Sequence, residues 1–201
     1  MGRPLRVEFS GAIYHVTSRG NRRERIFVDD DDRLRLLDIV ADAMGRFEAD
    51  AFAFCLMGNH YHLVVRTHRA NLSHVMQHLN GNYARAFNKR HSLSGHLFQR
   101  RFHAMLVDRD AYLMELCRYV ELNPVRARLV SVVGDWRWSS YNANVGLAVA
   151  PTWLATRELH EYVLRRPVRA WADHAVAARA YTQLVADGID VASESWRKRC
   201  P

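Results

Sequence analysis

Residues 51–107 of this 201-residue chain contain no aspartate and no glutamate, yet they hold seven arginine and lysine side chains. The first 50 residues, by contrast, carry nine basic and ten acidic ones. Missing acids therefore concentrate the net charge of +8 in the middle of the sequence, which favours an anionic partner, above all nucleic acid. Lysine is scarce too: only Lys89 and Lys198 stand among 29 basic residues. The arginines that replace it suit bidentate phosphate contacts and stacking on bases. Cysteine is limited to Cys55, Cys117 and Cys200, far apart and odd in number, which argues against a thiolate metal knuckle and for a reducing compartment. No run approaches the roughly 18 apolar residues of a membrane-spanning helix, so no membrane partner is expected. The basic start Met1-Gly2-Arg3-Pro4-Leu5-Arg6 is not followed by a signal-peptide pattern, and solenoid repeats are absent. A cytoplasmic, nucleoid-associated protein is expected.

What is present centres on Gly58-Asn59-His60-Tyr61-His62, flanked by apolar runs at residues 51–57 and 63–65. The runs read as two strands joined by a turn at Gly58-Asn59, with Met57 or His60 as further turn residues. Side chains on a strand alternate, so His60 and His62 share one face and form a pair of imidazole ligands. Two ligands do not complete a metal site, and polar residues on a half-exposed strand are the simpler alternative.

Around this hairpin the expected order is strand, helix, strand, strand, helix, strand, helix. Residues 12–18 alternate as a first strand, placing His15 on one face with Ile13 and Thr17. His15 reaches the His60 and His62 face if that strand is central; otherwise it is a hydrogen-bonded surface group. Arg19-Gly20-Asn21-Arg22-Arg23 reads as a cationic turn suited to phosphate. Four aspartates, Asp29 to Asp32, open a helix to about Arg46, where acidic groups complement the helix dipole better than they suggest a metal site. Leu34, Leu37, Ile39, Val40, Ala43 and Met44 are its expected buried face. A second helix spans about residues 72–89, its cationic end suited to the dipole. Residues 97–107 end in a strand that follows Arg100 and Arg101, and a helix over about residues 111–122 stops before Pro124. The first six elements fit an α+β, ferredoxin-like antiparallel sheet with two helices on one face and the other face open for ligand, metal and another helix. Residues 1–145 form this domain and residues 146–201 a helical C-terminal extension, with helices over about 156–164 and 171–185. The extension either widens nucleic-acid contact or caps the core. Trp136-Arg137-Trp138-Ser139-Ser140-Tyr141 either packs on the domain or meets bases.

Tyr119 and Asn123, four residues apart, lie on one side of the last core helix beside the apolar residues Leu113, Leu116, Cys117 and Val120. They are placed either to face the histidines or, more simply, to pack a ring and to terminate the helix.

Three stretches in order, Gly11-Ala12-Ile13-Tyr14-His15-Val16-Thr17-Ser18-Arg19-Gly20, Met57-Gly58-Asn59-His60-Tyr61-His62-Leu63 and Arg118-Tyr119-Val120-Glu121-Leu122-Asn123-Pro124-Val125-Arg126-Ala127, resemble the IS200-like single-tyrosine transposases. The likeness is greatest to the branch associated with repetitive extragenic palindromes, and Trp138-Ser139-Ser140-Tyr141 agrees with it. The resemblance implies an HUH nuclease for single-stranded DNA with hairpin or palindromic elements, leaving a 5′-phosphotyrosine and a free 3′-hydroxyl. By motif position it makes Tyr119 the nucleophile and His60, His62 and Asn123 the ligands of Mg2+ or Mn2+. Arg19, Asn21, Arg22, Arg23, Arg100, Arg101, Arg126 and Arg128 are the candidate DNA contacts. Whether the active form is a monomer or a homodimer stays open. So do three alternatives: a replication or conjugation initiator with the same chemistry, a noncatalytic binder of structured nucleic acid, and a hydrolase using metal-activated water.

Overall fold

A computed structural model describes residues 7–107 and 110–189; the basic residues read at 2–6 and 197–199, and Cys200, lie outside the described residues. The elements are β1 (Ala12–Arg19), α1 (Asp30–Phe47), β2 (Ala49–Leu56), β3 (His60–Thr67), α2 (Leu72–His91), β4 (His103–Leu106), α3 (Asp110–Glu121), α4 (Asn123–Arg126), α5 (Tyr141–Asn144), α6 (Thr156–Leu164) and α7 (Trp171–Ala186). The four strands form one antiparallel sheet in the order β2-β3-β1-β4. Because β3 inserts between β1 and β2, the α+β, ferredoxin-like arrangement expected from the sequence is the one formed. The turn at residues 57–59 is closed by Met57 N–H donating to the His60 carbonyl at 2.9 Å.

Strand alternation divides the sheet into two faces. Tyr14, Val16, Leu63 and Val65 turn toward α1 and α2 and pack there with Leu36, Val40, Met44, Val75 and Leu79. Ala53, Cys55 and Val64 turn the other way, where Leu113, Leu116, Cys117 and Val120 of α3 cover them. Leu159 of α6 and Tyr181 and Val185 of α7 belong to this second core, so the chain beyond Gly146 packs onto α3. Ala51 of β2 also exchanges hydrogen bonds with the backbone of Trp153 and Ala155. Trp138, Ser140 and Tyr141 are buried along the β2 side, with Leu56 N–H bound to the Trp138 carbonyl and Ser140 N–H to that of Phe54. The aromatic-hydroxyl stretch is therefore used for packing.

The aspartate run starts α1 as expected: Asp29 caps it by accepting from the Asp32 amide at 3.2 Å. Asp32 is itself buried, accepts from the Val28 amide, and faces Arg90 and His91. These contacts tie the start of α1 to the end of α2, so Arg90 serves stability. One detail of the expected face is corrected. Leu34 is 48% exposed, while Leu36 is fully buried. Asp32 rather than a leucine takes the first inward position, and Leu36, four residues on, follows it.

Leu36→Ala should cost about 2–5 kcal/mol and Leu34→Ala within about 0.5 kcal/mol by urea denaturation. Equal losses would contradict this phasing of α1.

Candidate active site

The site forms where β1 ends and β3 begins, beside the last turn of α3. In the β1–β3 ladder His60 lies opposite Arg19, His62 opposite Thr17 and Val64 opposite His15. His15, Thr17, His60 and His62 thus share the face that α3 covers. The central position of β1, which no local pattern fixes, brings His15 to the pair.

Asn59 sets the state of His60. Its amide nitrogen donates to the Arg23 carbonyl at 2.9 Å, so its oxygen is the atom 2.7 Å from His60 Nδ1. That nitrogen must donate, which leaves Nε2 of His60 with its lone pair. The His60 and His62 ring centroids are 5.0 Å apart and the planes nearly perpendicular at 79°. His62 is buried, with Nδ1 3.0 Å from His15 Nε2 and with Nε2 buried and lacking a hydrogen-bond partner. Burial is the largest influence on all three rings. It lowers His15 and His60 to about 4, helped by His103 and Arg19 respectively, and takes His62 well below its ordinary range. At neutral pH the rings are uncharged, the form in which imidazole binds a cation.

From α3, Tyr119 brings its ring edge-on to both buried imidazoles, with centroids 6.1 Å from His15 and 6.2 Å from His62. The Arg126 guanidinium lies 5.3 Å from the centre of the Tyr119 ring, close enough for a cation–π contact, while its Nη2 donates to the Gly188 carbonyl. Asn123 does terminate the helix. Its amide nitrogen donates to the carbonyls of Tyr119 and Val120 at 3.0 and 3.2 Å, and its Oδ1 takes no part in those bonds. The chain then re-enters one helical turn, α4, with Pro124 just inside its start.

A divalent cation fits these donors. The buried Nε2 of His62 has no hydrogen-bond partner and, unprotonated, would be available to a cation, and Nε2 of His60 offers a second donor. No group of three or more His, Cys, Asp and Glu among the described residues is arranged to hold a metal. Two imidazoles would therefore need the Asn123 amide oxygen, phosphate oxygens or water to complete a shell. A mixed nitrogen and oxygen set suits Mn2+ more readily than Mg2+.

The candidate phosphate ligands fall into two groups. Arg19, Asn21, Arg22 and Arg23 lie beside His60, where Gly20 N–H binds the Asn59 carbonyl. Residues 97–99 run along this turn through Asn21 N–H to the Leu97 carbonyl and Gln99 N–H to the Arg19 carbonyl, which brings exposed Arg100 and Arg101 to the same corner. Gly20 is required there: an added Cβ would stand 2.2 Å from the Glu24 carbonyl oxygen. Arg126 and exposed Arg128 form the second group, after α3.

The sequence reading missed Glu121. It is fully buried and accepts from Ser140 Oγ at 2.6 Å, Asn144 Nδ2 at 2.8 Å and the Tyr181 hydroxyl at 2.9 Å. Burial pushes its carboxyl up to about 7. Lying between Tyr119 and Asn123 in sequence, it fixes the end of α3 to α5 and α7. Its spacing of four from Cys117 places it on the inward face, the one available signal.

Residues 8–123 match the family described as IS200-like transposases. The chain belongs to that family. Among solved structures, a REP-associated tyrosine transposase bound to a REP hairpin superposes with a TM-score of 0.62 at 18% identity, covering 75% of this chain and 89% of that one. A Deinococcus radiodurans protein described as a transposase matches at 20% identity and TM-score 0.41, covering 60% of this chain and 95% of its own. A search of curated proteins returns no match. No helix among the described residues of this transposase is long and apolar enough to cross a membrane.

The buried groups dictate opposing pH effects. As pH falls below 6.5 the unfolded chain protonates histidines that the folded chain keeps neutral to about 4 or lower, so the stability they contribute at neutral pH is lost on acidification. Glu121 does the reverse: folded, it holds its proton up to about 7, against 4.5 when unfolded, so its cost disappears as pH falls. Three rings outweigh one carboxyl. In chelator, Glu121→Gln should steepen the loss of unfolding free energy between pH 6.5 and 4.5 by about 1.4 kcal/mol per pH unit. An unchanged or shallower slope would contradict these assignments.

Proposed function

We propose that this IS200-like transposase is a metal-dependent endonuclease and strand transferase for single-stranded DNA beside hairpins, with Tyr119 as nucleophile. The observation that carries the reading is the meeting, within one chain, of the Tyr119 ring with a buried imidazole whose Nε2 has no hydrogen-bond partner. A core needs neither a phenol nor an unpartnered imidazole nitrogen at that point. A nuclease needs both.

A phenol has an ordinary pKa near 10 and attacks poorly until charge on its oxygen is stabilised. His60, His62 and Asn123 would hold a divalent ion, which would supply that help by drawing charge from the phosphate oxygens. Tyr119 Oη then forms a bond to the scissile phosphorus as the bond to the 3′-oxygen breaks. The phenolic proton is released and the 3′-oxygen leaves as a hydroxyl. The product is a 5′-phosphotyrosine that keeps the phosphoester bond count, so a second 3′-hydroxyl can reverse the step and join strands. Arg126 over the Tyr119 ring favours the developing negative charge and restricts the ring's orientation. Because tyrosine and histidines belong to one chain, the reading includes cleavage in cis.

Hairpin DNA as the partner is supported by the branch resemblance in the motifs and by the shared fold of the REP-associated enzyme, itself bound to a REP hairpin. The acid-free basic stretch and the cationic corner beside His60 supply the electrostatic basis. Arg19, Arg22, Arg23, Arg100, Arg101 and Arg128 are the proposed phosphate contacts, with Asn21 beside them.

With labelled single-stranded DNA from beside its gene and Mn2+, the protein should form a covalent adduct that survives denaturing electrophoresis and maps to Tyr119. Tyr119→Phe should abolish the adduct while leaving hairpin affinity within about twofold. Cleavage without any protein-linked strand would indicate activated water instead, and binding without cleavage a noncatalytic module. With about six phosphates neutralised, affinity should fall about a thousandfold between 50 and 200 mM salt. A salt-independent dissociation constant would refute the basic surface as the binding surface.

A further inference from the structure

The hydrogen bond between His15 and His62 has a direction, and that direction decides whether His62 can bind a metal. Both rings are buried and nearly parallel, 13° apart, with His15 Nε2 and His62 Nδ1 separated by 3.0 Å. Two neutral imidazoles place one proton in such a contact. If His15 donates, His62 must carry its own proton on Nε2, where no acceptor exists. A buried donor left unsatisfied costs about 1–3 kcal/mol, and a protonated Nε2 cannot coordinate. If His62 donates, its Nε2 is a bare lone pair.

We propose that His15 is the positioning residue of the metal site: its Nε2 accepts the Nδ1–H of His62, fixing the tautomer and ring orientation that present His62 Nε2 to the cation. This rests on the metal-dependent reading above and extends it to a residue that itself holds no metal. Ligating histidines commonly donate their other N–H to a carboxylate or carbonyl. Here the acceptors are an amide oxygen for His60 and a neutral ring for His62. Neither acceptor adds negative charge beside the cation, so its attraction for a DNA phosphate is undiminished. The absence of acids from residues 51–107 is consistent with this design. Tyr119 lies edge-on to His15 as well as to His62, so the same ring that aims the ligand also forms a wall for the nucleophile.

The test uses the full chain without DNA. A glutamine oxygen extends about as far as a histidine Nε2 and can accept, whereas leucine fills similar space and cannot. Mn2+ affinity, measured by electron paramagnetic resonance for the unaltered protein, His15→Gln, His15→Leu and His62→Ala, should fall about 10–100-fold in His15→Leu. His15→Gln should stay within severalfold of the unaltered protein, and His62→Ala should lose the site. Thermal melting in chelator checks that each variant is folded. Long-range 1H–15N spectra of the unaltered protein should find the His62 proton on Nδ1, a result that needs no variant and no metal. Undiminished Mn2+ affinity in folded His15→Leu, or a His62 proton on Nε2, would overturn the role of His15. Failure of the unaltered protein to bind Mn2+ would instead overturn the metal centre itself, and this role with it.

Discussion

The site depends on one packing event, the laying of α3 across the second face of the sheet. That face is apolar along most of its length, where Leu113, Leu116, Cys117 and Val120 meet Ala53, Cys55 and Val64. At the start of β3 the strand residues become imidazoles, and the helix residue that meets them becomes Tyr119. The same burial that stabilises the domain therefore desolvates His15 and His62, holds them uncharged, and sets a phenol against them. Structure and chemistry share a single interface. Glu121, bonded to Ser140, Asn144 and Tyr181, ties the end of the helix down so that this interface does not slide.

Electrostatics follow the same economy. The first 50 residues balance their charges, and acids such as Asp29 and Asp32 are engaged in structure with Arg90. The middle stretch lacks acids, and the partners that orient the two histidines are neutral. A polyanion approaching the turn of residues 19–25 meets Arg19, Arg22, Arg23 and Arg25 against the single carboxylate of Glu24. Asn59 links the two functions, since it orients His60 with its oxygen and holds the Arg23 backbone with its nitrogen.

Much of this was legible because it is periodic. Alternation placed His60 and His62 on one face, and helical spacing placed Tyr119 and Asn123 beside an apolar stripe; the element order followed from turn residues and charge. The reasons for the failures are equally specific. Leu34 and Leu36 are both apolar near a helix start, and only tertiary contact with α2 decides which one turns inward. His15 could be read as near the pair or remote from it, because strand order is a long-range property absent from a local pattern. Glu121 was overlooked because a buried carboxylate is legible only with its partners, which lie some 20 to 60 residues away. Trp138 and Tyr141 suit both base stacking and packing as sequence, and only the pairing of the β2 edge with the backbone of Trp138 and Ser140 decides between them.

The claim on which the chemistry stands is that His60 and His62 direct their Nε2 atoms to a common cation beside Tyr119. Anomalous diffraction from crystals soaked in Mn2+ addresses it directly. The expected result is one manganese bound through Nε2 of both rings on the side that Tyr119 faces. A manganese bound through Nδ1 of either ring, or bound only at sites away from both histidines, would contradict it.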